Sequence, residues 1–306
     1  MQTVSQSSAD CIMKHVIVMG SSGRLGRMVR KSWALKPDLP FHPLYQYRRQ
    51  KVSEPDLLWS ADEHPEDFVA ALKNWLDTPA LGSNLLPVMI VLAGITPSSS
   101  GQLDENVPIT RNCLLAARAA GIGRVLIASS SSVYGSNHSV PIPETAAILP
   151  NSDYGRHKQQ MEQLCAASDW FDIEICLLRI GNVAGADALM LNHFKDPSAK
   201  LHLDIFQDGK SLLRSYIGPI TLADVLAKLA MVPGPIPSIL NISAPSPIYM
   251  DDLAAAAGIE WYPRPATDDV CQSIILDTKR LEALHRFHLC DSSPLTMVQQ
   301  LRKIGY

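Results

Sequence analysis

The stretch His15-Val16-Ile17-Val18-Met19-Gly20-Ser21-Ser22-Gly23-Arg24-Leu25-Gly26 runs from a short apolar segment into three glycines spaced three apart, and a helical pattern follows through Ala34. Strand, glycine-rich turn and helix in that order aim backbone N–H groups and a helix N-terminus at a phosphate. Gly20 permits the tight turn, and Gly23 and Gly26 permit close approach. A plain flexible turn has the same composition, so the flanking sequence has to decide between the two.

A second apolar run, Phe41 to Tyr47, ends in Arg48-Arg49. An acidic residue at this place would accept hydrogen bonds from the ribose of NAD, but the chain has Gln46 and Tyr47 followed by the two arginines. A planar guanidinium binds phosphate oxygens in pairs, so Arg48 and Arg49 favour NADP(H) over NAD(H). The alternative for them is a solvated basic loop. Asp56 to Ser60 reads as a short third strand and Pro65 to Trp75 as an amphipathic helix with Glu66 and Asp67 in its first turn. Pro87 to Ala93 reads as a buried strand and Leu103 to Ala120 as a helix stopped by Gly121-Ile122-Gly123. Arg124 to Ala128 is the next strand. Strands and helices alternating roughly every 25 to 35 residues predict a Rossmann-type α/β fold, a doubly wound parallel sheet with helices on both faces.

Composition narrows the function. At 306 residues and 46% hydrophobic, the chain can bury a large core as one domain with at most a small appendage. A formal charge of −3 with scattered lysines and arginines offers no field for nucleic acid, so a small-molecule substrate is expected. The longest near-continuous apolar run, Leu85 to Ile95, is too short for a bilayer. Residues 1–12 read as a loose leader without a secretory signal, and Met13 as the start of the folded part. The protein is therefore expected in the cytoplasm. The six cysteines show no Cys-x-x-Cys spacing and no histidine pairing suited to zinc, so free thiols and no metal are expected.

The chemistry gathers after the strand at 124–128. Ser129-Ser130-Ser131-Ser132-Val133-Tyr134-Gly135 follows it, at the carboxyl edge where open parallel sheets bind ligands. Further on, Tyr154-Gly155-Arg156-His157-Lys158 puts a phenol and an ammonium four residues apart on one helix face, with Asn151 or Ser152 as the helix cap. Lowering a tyrosine pKa from ~10 to ~7 takes about 4 kcal/mol of preference for the phenolate, and a nearby cation supplies that sign.

Taken together, these motifs resemble the extended short-chain dehydrogenase/reductase family, also called the NAD-dependent epimerase/dehydratase family. The resemblance is carried in order by Gly20-x-x-Gly23-x-x-Gly26, Leu92-Ala93-Gly94, Asn106, the serine run through Gly135, Tyr154-x-x-x-Lys158 and Leu178-Arg179-Ile180-Gly181-Asn182-Val183-Ala184-Gly185, and more faintly by the segment around Arg214 and Asp224. It nearly fades beyond residue 245. It implies a dinucleotide along Gly20, Ser22, Gly23, Arg24, Leu25, Gly26, Ala93 and Gly94, reached also by Tyr154 and Lys158. Ser130 would steady the substrate oxygen, Tyr154 would give or take its proton, and Lys158 would lower the tyrosine pKa and hold the nicotinamide ribose. Residues 13–183, completed by 220–242, would form the dinucleotide-binding domain, and 184–219 with 243–306 a small substrate-binding region. There Ser131, Asn182, His193 and Arg214 are candidate contacts, with Arg214 suited to a pyrophosphate.

Two departures narrow the reaction. Family members that expel water carry carboxylates after the catalytic hydroxyl, whereas this chain has Ser131 and Ser132, which disfavours dehydration. Ala184 and Ala186 replace the tyrosine and proline often found in the family's Asn-Val-Tyr-Gly-Pro stretch. The expected activity is hydride transfer at a carbinol or ketone carbon of a sugar-like substrate, a nucleotide sugar among the candidates, by an epimerase or by a dehydrogenase/reductase. An NADPH-dependent reductase of a small non-sugar carbonyl and a non-catalytic dinucleotide sensor are the alternatives. The resemblance further implies a homodimer built on the helix near 103–120 and the helix of Tyr154, with Ala116, Ala117, Ala119 and Ala120 allowing close approach.

Overall fold

The computed structural model describes residues 14–49, 56–60, 63–76, 86–99, 101–136, 141–198 and 200–306. The expected leader and Cys11 lie outside them. The first half of the chain lays down β1 (Lys14–Met19), α1 (Arg24–Ala34), β2 (Phe41–Tyr47), β3 (Leu57–Leu58), α2 (Pro65–Leu76), β4 (Val88–Val91), α3 (Asn106–Ala119), β5 (Arg124–Ser130), α4 (Asp153–Ala166) and β6 (Glu174–Ile180). These strands and β11 (Ile239–Ile242) form one seven-stranded sheet in the order β11-β6-β5-β4-β1-β2-β3, with every neighbouring pair parallel. The order reverses between β1 and β4, so the crevice beyond their carboxyl ends is the topological switch point at which such sheets take ligands.

The apolar runs become central strands because both faces are covered. Val16 and Val18 of β1, Val88 and Ile90 of β4, and Leu126 of β5 pack into a core with α1 and α6. Their alternate neighbours Ile17, Met19, Met89, Val91, Val125 and Ile127 pack on the other face with α2, α3 and α4. Helix α4 starts where the sequence places it, its first turn fixed by Gly155 N–H donating to Ser152 Oγ at 3.1 Å and by Asp153 near the positive helix end.

The rest of the chain comprises β7 (Asn182–Val183), α5 (Ala188–Lys195), β8 (Leu201–Ile205), β9 (Leu213–Arg214), β10 (Tyr216–Ile217), α6 (Pro219–Met231), β11, β12 (Ile248–Tyr249), α7 (Met250–Ala257), β13 (Trp261–Pro265), β14 (Ser273–Ile274), α8 (Lys279–Glu282) and α9 (Pro294–Lys303). The segment after Gly185, irregular by sequence, forms a helix and then a strand paired with β13. Helix α7 carries no strong periodic stripe, yet it has Asp251 and Asp252 in its first turn and ends at Gly258 with φ +74. Residues 281–286 read by sequence as a closing helix, and the structure has there the single turn α8, which Leu281 anchors as a fully buried side chain. Gln300 on α9 caps α6 from outside. Its Oε1 accepts from Ile220 N and Thr221 N at 3.0 and 3.1 Å, in the space a side chain at Gly218 would fill.

Candidate active site

The glycine turn is built by contact. Gly20 has φ +82, and a Cβ there would lie 2.5 Å from Ala93 N, while one at Gly26 would lie 2.2 Å from Gly20 O. Backbone on both sides forbids relief, so these positions require glycine. Gln46, at the end of β2, serves this turn: its Oε1 accepts from Gly20 N at 2.7 Å, its carbonyl accepts from Ser21 N at 3.0 Å, and its Nε2 donates to Trp59 O. The residue standing where an acidic ribose ligand was sought is thus buried in structural bonds. Arg48 and Arg49 follow it on the surface. Ser22 and Gly23 are exposed at the N-terminus of the eleven-residue α1. With the cradle that Gly20 and Gly26 keep open, that end fits a dinucleotide diphosphate.

Arg24 reaches further than its place in the turn suggests. Its Nη1 donates to Ala186 O at 2.9 Å and its Nη2 to Ser98 Oγ at 2.7 Å, so one side chain spans from the glycine turn to the loops after β4 and β7. The Leu92-Ala93-Gly94 strand end is set by Asn106, whose Oδ1 accepts from Ile95 N at 3.1 Å and whose Nδ2 donates to Ile95 O at 3.0 Å and Leu103 O at 2.8 Å. A Cβ at Gly94 would lie 2.8 Å from Asn106 Oδ1 and 3.5 Å from Lys158 Nζ.

Past the carboxyl edge, a cleft of about 300 Å³ is lined by Ser130, Ser131, Ser132, Tyr154, Asn182 and Arg214, among others. Ser130 Oγ accepts from Ser132 N at 3.2 Å and from Ser132 Oγ at 2.9 Å, and it hydrogen-bonds the Tyr154 phenol. No carboxylate is among the described residues lining this cleft. Arg214 faces it with its guanidinium held by main chain: Nη1 donates to Leu213 O and Gln272 O at 2.9 and 2.7 Å, and Nη2 to Cys271 O at 2.8 Å. Asn182 leads inward to Tyr216, whose hydroxyl donates to Asp187 Oδ2 at 2.8 Å. Burial pushes the Asp187 carboxyl up to about 6.

His193 is not part of this cleft. It sits on α5 with its ring 6.2 Å from that of Phe194. Ser215, Ile274 and Leu276 do line the cleft, and nothing in the sequence marked them. They arrive through the pairing of β9 with β14 and the bridge between Ile142 and Leu276, contacts between segments far apart in the chain.

The electrostatics differ from the expectation in one respect. Burial raises the Tyr154 phenol, opposed by its hydrogen bond with Ser130 and by the charge of Arg24. The Lys158 ammonium lies 6.0 Å from the Tyr154 ring centroid and turns back to donate to Ala128 O at 2.9 Å. Burial also lowers Lys158 itself, from 10.5 to about 8. Below that value the folded chain carries the full cost of a buried cation, on the order of 3 kcal/mol by the free energy of a pKa shift. The cost fades as pH rises from about 8 towards 10.5, where the unfolded chain also loses the proton. Lys158→Met is therefore expected to raise the denaturation midpoint at pH ~7, with the gain over the parent chain shrinking by pH ~10. Chemical denaturation of both chains across that range checks it; a gain that grows with pH would refute the assignment.

A family model described as NAD dependent epimerase/dehydratase family matches residues 93–210. Over that stretch, less than half of its length, the chain is similar to that family. A UDP-glucose 4-epimerase of Rhizobium leguminosarum bv. trifolii is 40% identical over 85 residues, 28% of this chain and 26% of the relative. The aligned stretch thus spans about a quarter of that curated relative's length. Among solved structures, the UDP-glucose 4-epimerase from Brucella ovis in complex with NAD aligns with TM-score 0.73 at 20% identity, covering 94% of this chain and 97% of that one. MoeE5 in complex with UDP-glucuronic acid and NAD aligns with TM-score 0.67 at 21% identity, over 94% and 99% of the two chains. At these identities the likeness establishes a shared fold, across nearly the whole molecule. It extends through the C-terminal segments, where the epimerase/dehydratase motifs are no longer legible in the sequence.

Proposed function

We propose that this chain is a nicotinamide-dinucleotide-dependent enzyme acting on a nucleotide sugar, and that it interconverts epimers at a carbinol carbon. The observation that carries the reading is the hydrogen-bonded Ser130–Tyr154 hydroxyl pair, set in a cleft beyond the carboxyl ends of β5 and β6 that also holds Asn182 and Arg214. Bound nicotinamide would accept and return the hydride. Tyr154 would take the proton of the reacting hydroxyl and give it back, while Ser130 would hold the same oxygen. Arg214, fixed by three carbonyl bonds, presents its charge to the diphosphate of the substrate without reorganising. The cleft's lining of serines with no carboxylate supports redox chemistry over dehydration, which needs an additional acid or base.

Arg48 and Arg49 support a second reading, net reduction by NADPH, because they stand on the surface just past β2 where a 2′-phosphate would lie. One experiment separates the readings. The protein is incubated with UDP-glucose and either NAD or NADP, and in a second arm with NADPH and keto sugars. The expected result is appearance of UDP-galactose without net change in nicotinamide absorbance, with the NADP form bound ~10-fold tighter than the NAD form, a preference that Arg48→Ala/Arg49→Ala abolishes. Steady loss of NADPH absorbance would install the reductase instead, and failure to retain either dinucleotide would remove both.

The proposal includes a homodimer formed by α3 and α4. Ala116 and Ala117 are fully buried in the core under the sheet, so they do not serve such an interface. The outward positions are Arg111, Leu115 and Ala119 on α3 with Arg156, Gln160 and Gln163 on α4. A cytoplasmic setting fits the five described cysteines, all of them free thiols. No described helix is long and apolar enough to cross a membrane.

A further inference from the structure

Behind the cleft, and contributing no side chain to its lining, lies a buried charged network with no role in the chemistry proposed so far. Glu162 follows Lys158 by one turn of α4 and is 4% exposed. Its Oε1 accepts from Ser129 Oγ at 2.5 Å and from Arg179 Nε at 3.1 Å, and its Oε2 accepts from Arg179 Nη2 at 2.8 Å. Arg179, 2% exposed, also donates from Nη1 to Tyr134 O–H at 3.0 Å and to Glu144 O at 3.1 Å. The Tyr134 hydroxyl in turn donates to Asn241 Oδ1 at 2.8 Å.

Each end of this network abuts a reactive residue. Ser129 precedes Ser130, Tyr134 closes the serine turn, and Glu162 shares its helix face with Tyr154 and Lys158. The Lys158–Ala128 and Glu162–Ser129 bonds therefore fasten two successive turns of α4 to two successive residues of β5. A buried ion pair is a poor source of stability, because the desolvation of both charges offsets their attraction. Its presence here calls for another use.

We propose that Glu162 is a positioning residue for the function proposed above: it docks the face of α4 that bears Tyr154 and Lys158 onto the strand end that bears Ser130, and it supplies the negative charge facing the Lys158 ammonium. Among the described residues, these groups stand around that ammonium. On α4 they are Glu162, Cys165, the Met161 sulfur and the Tyr154 ring; from β5 comes the Ala128 carbonyl; from the loop after β4 and from α3 come Gly94 and Asn106, neither titratable; Arg179 of β6 stands beyond Glu162. Burial lowers Lys158, and Glu162 is the foremost influence holding its proton on. A neutral amine keeps its donors but loses the charge that strengthens hydrogen bonds to ribose hydroxyls. Loss of the Glu162 charge is thus predicted to weaken dinucleotide binding from the alkaline side.

The test uses the full chain with lysine labelled at its ε-carbon, the Lys158 resonance being assigned by its absence in Lys158→Met. Glu162→Gln is compared with the parent, and Glu162→Gln/Arg179→Met is made alongside, since removing both partners avoids a stranded cation. In the variant that folds by circular dichroism, the Lys158 titration and the alkaline fall in NADH affinity are both expected to move down by at least half a pH unit, ~3-fold or more in affinity at pH ~8. A Lys158 titration that stays in place overturns the proposal, as does collapse of both variants, which would make Glu162 a requirement of the fold and not of the site. If the parent itself binds no dinucleotide, the proposed function fails while the lysine titration still reads the role of Glu162.

Discussion

Tyr154→Phe lowers the turnover number for sugar interconversion by ~10²–10⁴, the span attributed to a positioned acid/base group, and leaves dinucleotide affinity within ~2-fold. Only the hydroxyl is removed. The ring that packs 6.0 Å from Lys158 remains, and so do the glycine turn and Arg24. Ser130 keeps its bonds from Ser132 N and Oγ, so its own orientation survives. Because burial raises the phenol above the ordinary tyrosine range, with the Ser130 bond and Arg24 opposing, the parent's activity is expected to climb only in the strongly alkaline range as the phenolate forms. The residual activity of the Phe variant should lack that limb. Steady-state rates of both chains across pH check the point. A variant as fast as the parent would remove Tyr154 from the chemistry.

Arg179→Met should cost about 3–5 kcal/mol, the penalty for leaving one member of a buried pair uncompensated, and lower the melting temperature on the order of 10 °C. The side chains of Arg179 and Glu162 are 2% and 5% exposed, so water cannot take over the stranded carboxylate. Tyr134 and the Glu144 carbonyl lose a donor as well. By contrast, Arg156→Met should be near neutral, because the Arg156–Asp153 pair is surface-exposed and screened. Urea denaturation of the two variants compares them directly. Equal midpoints would mean that the interior pair is solvated in a way its burial does not show.

The layered fold was legible because each central strand is a run of β-branched and apolar residues flanked by turn chemistry, and each helix after it carries its own start and stop. The glycine turn, the serine run and Tyr154 with Lys158 were legible too, from their places after strands and on one helix face, and Asn106 through the family resemblance. Less could be read beyond residue 245. There the cleft-lining Ile274 and Leu276 sit in strand pairs and bridges of one or two residues, too short to leave a periodic signal. His193 shows the converse, a polar residue in a promising segment that α5 carries away from the cleft.

Sequence by itself determined the alternation of strands and helices in the first half of the chain, the glycine turn at positions 20, 23 and 26, and the helix face shared by Tyr154 and Lys158, because these follow from local periodicity and sterics. Tertiary structure alone decided which charges meet. Arg24 bridges the loops after β4 and β7, Lys158 is bent back to Ala128 O, and Gln46 is spent on the glycine turn. The physical reason is that a side chain's charge and reach are set by burial and by partners from distant segments, and neither is encoded in the spacing of residues along one element.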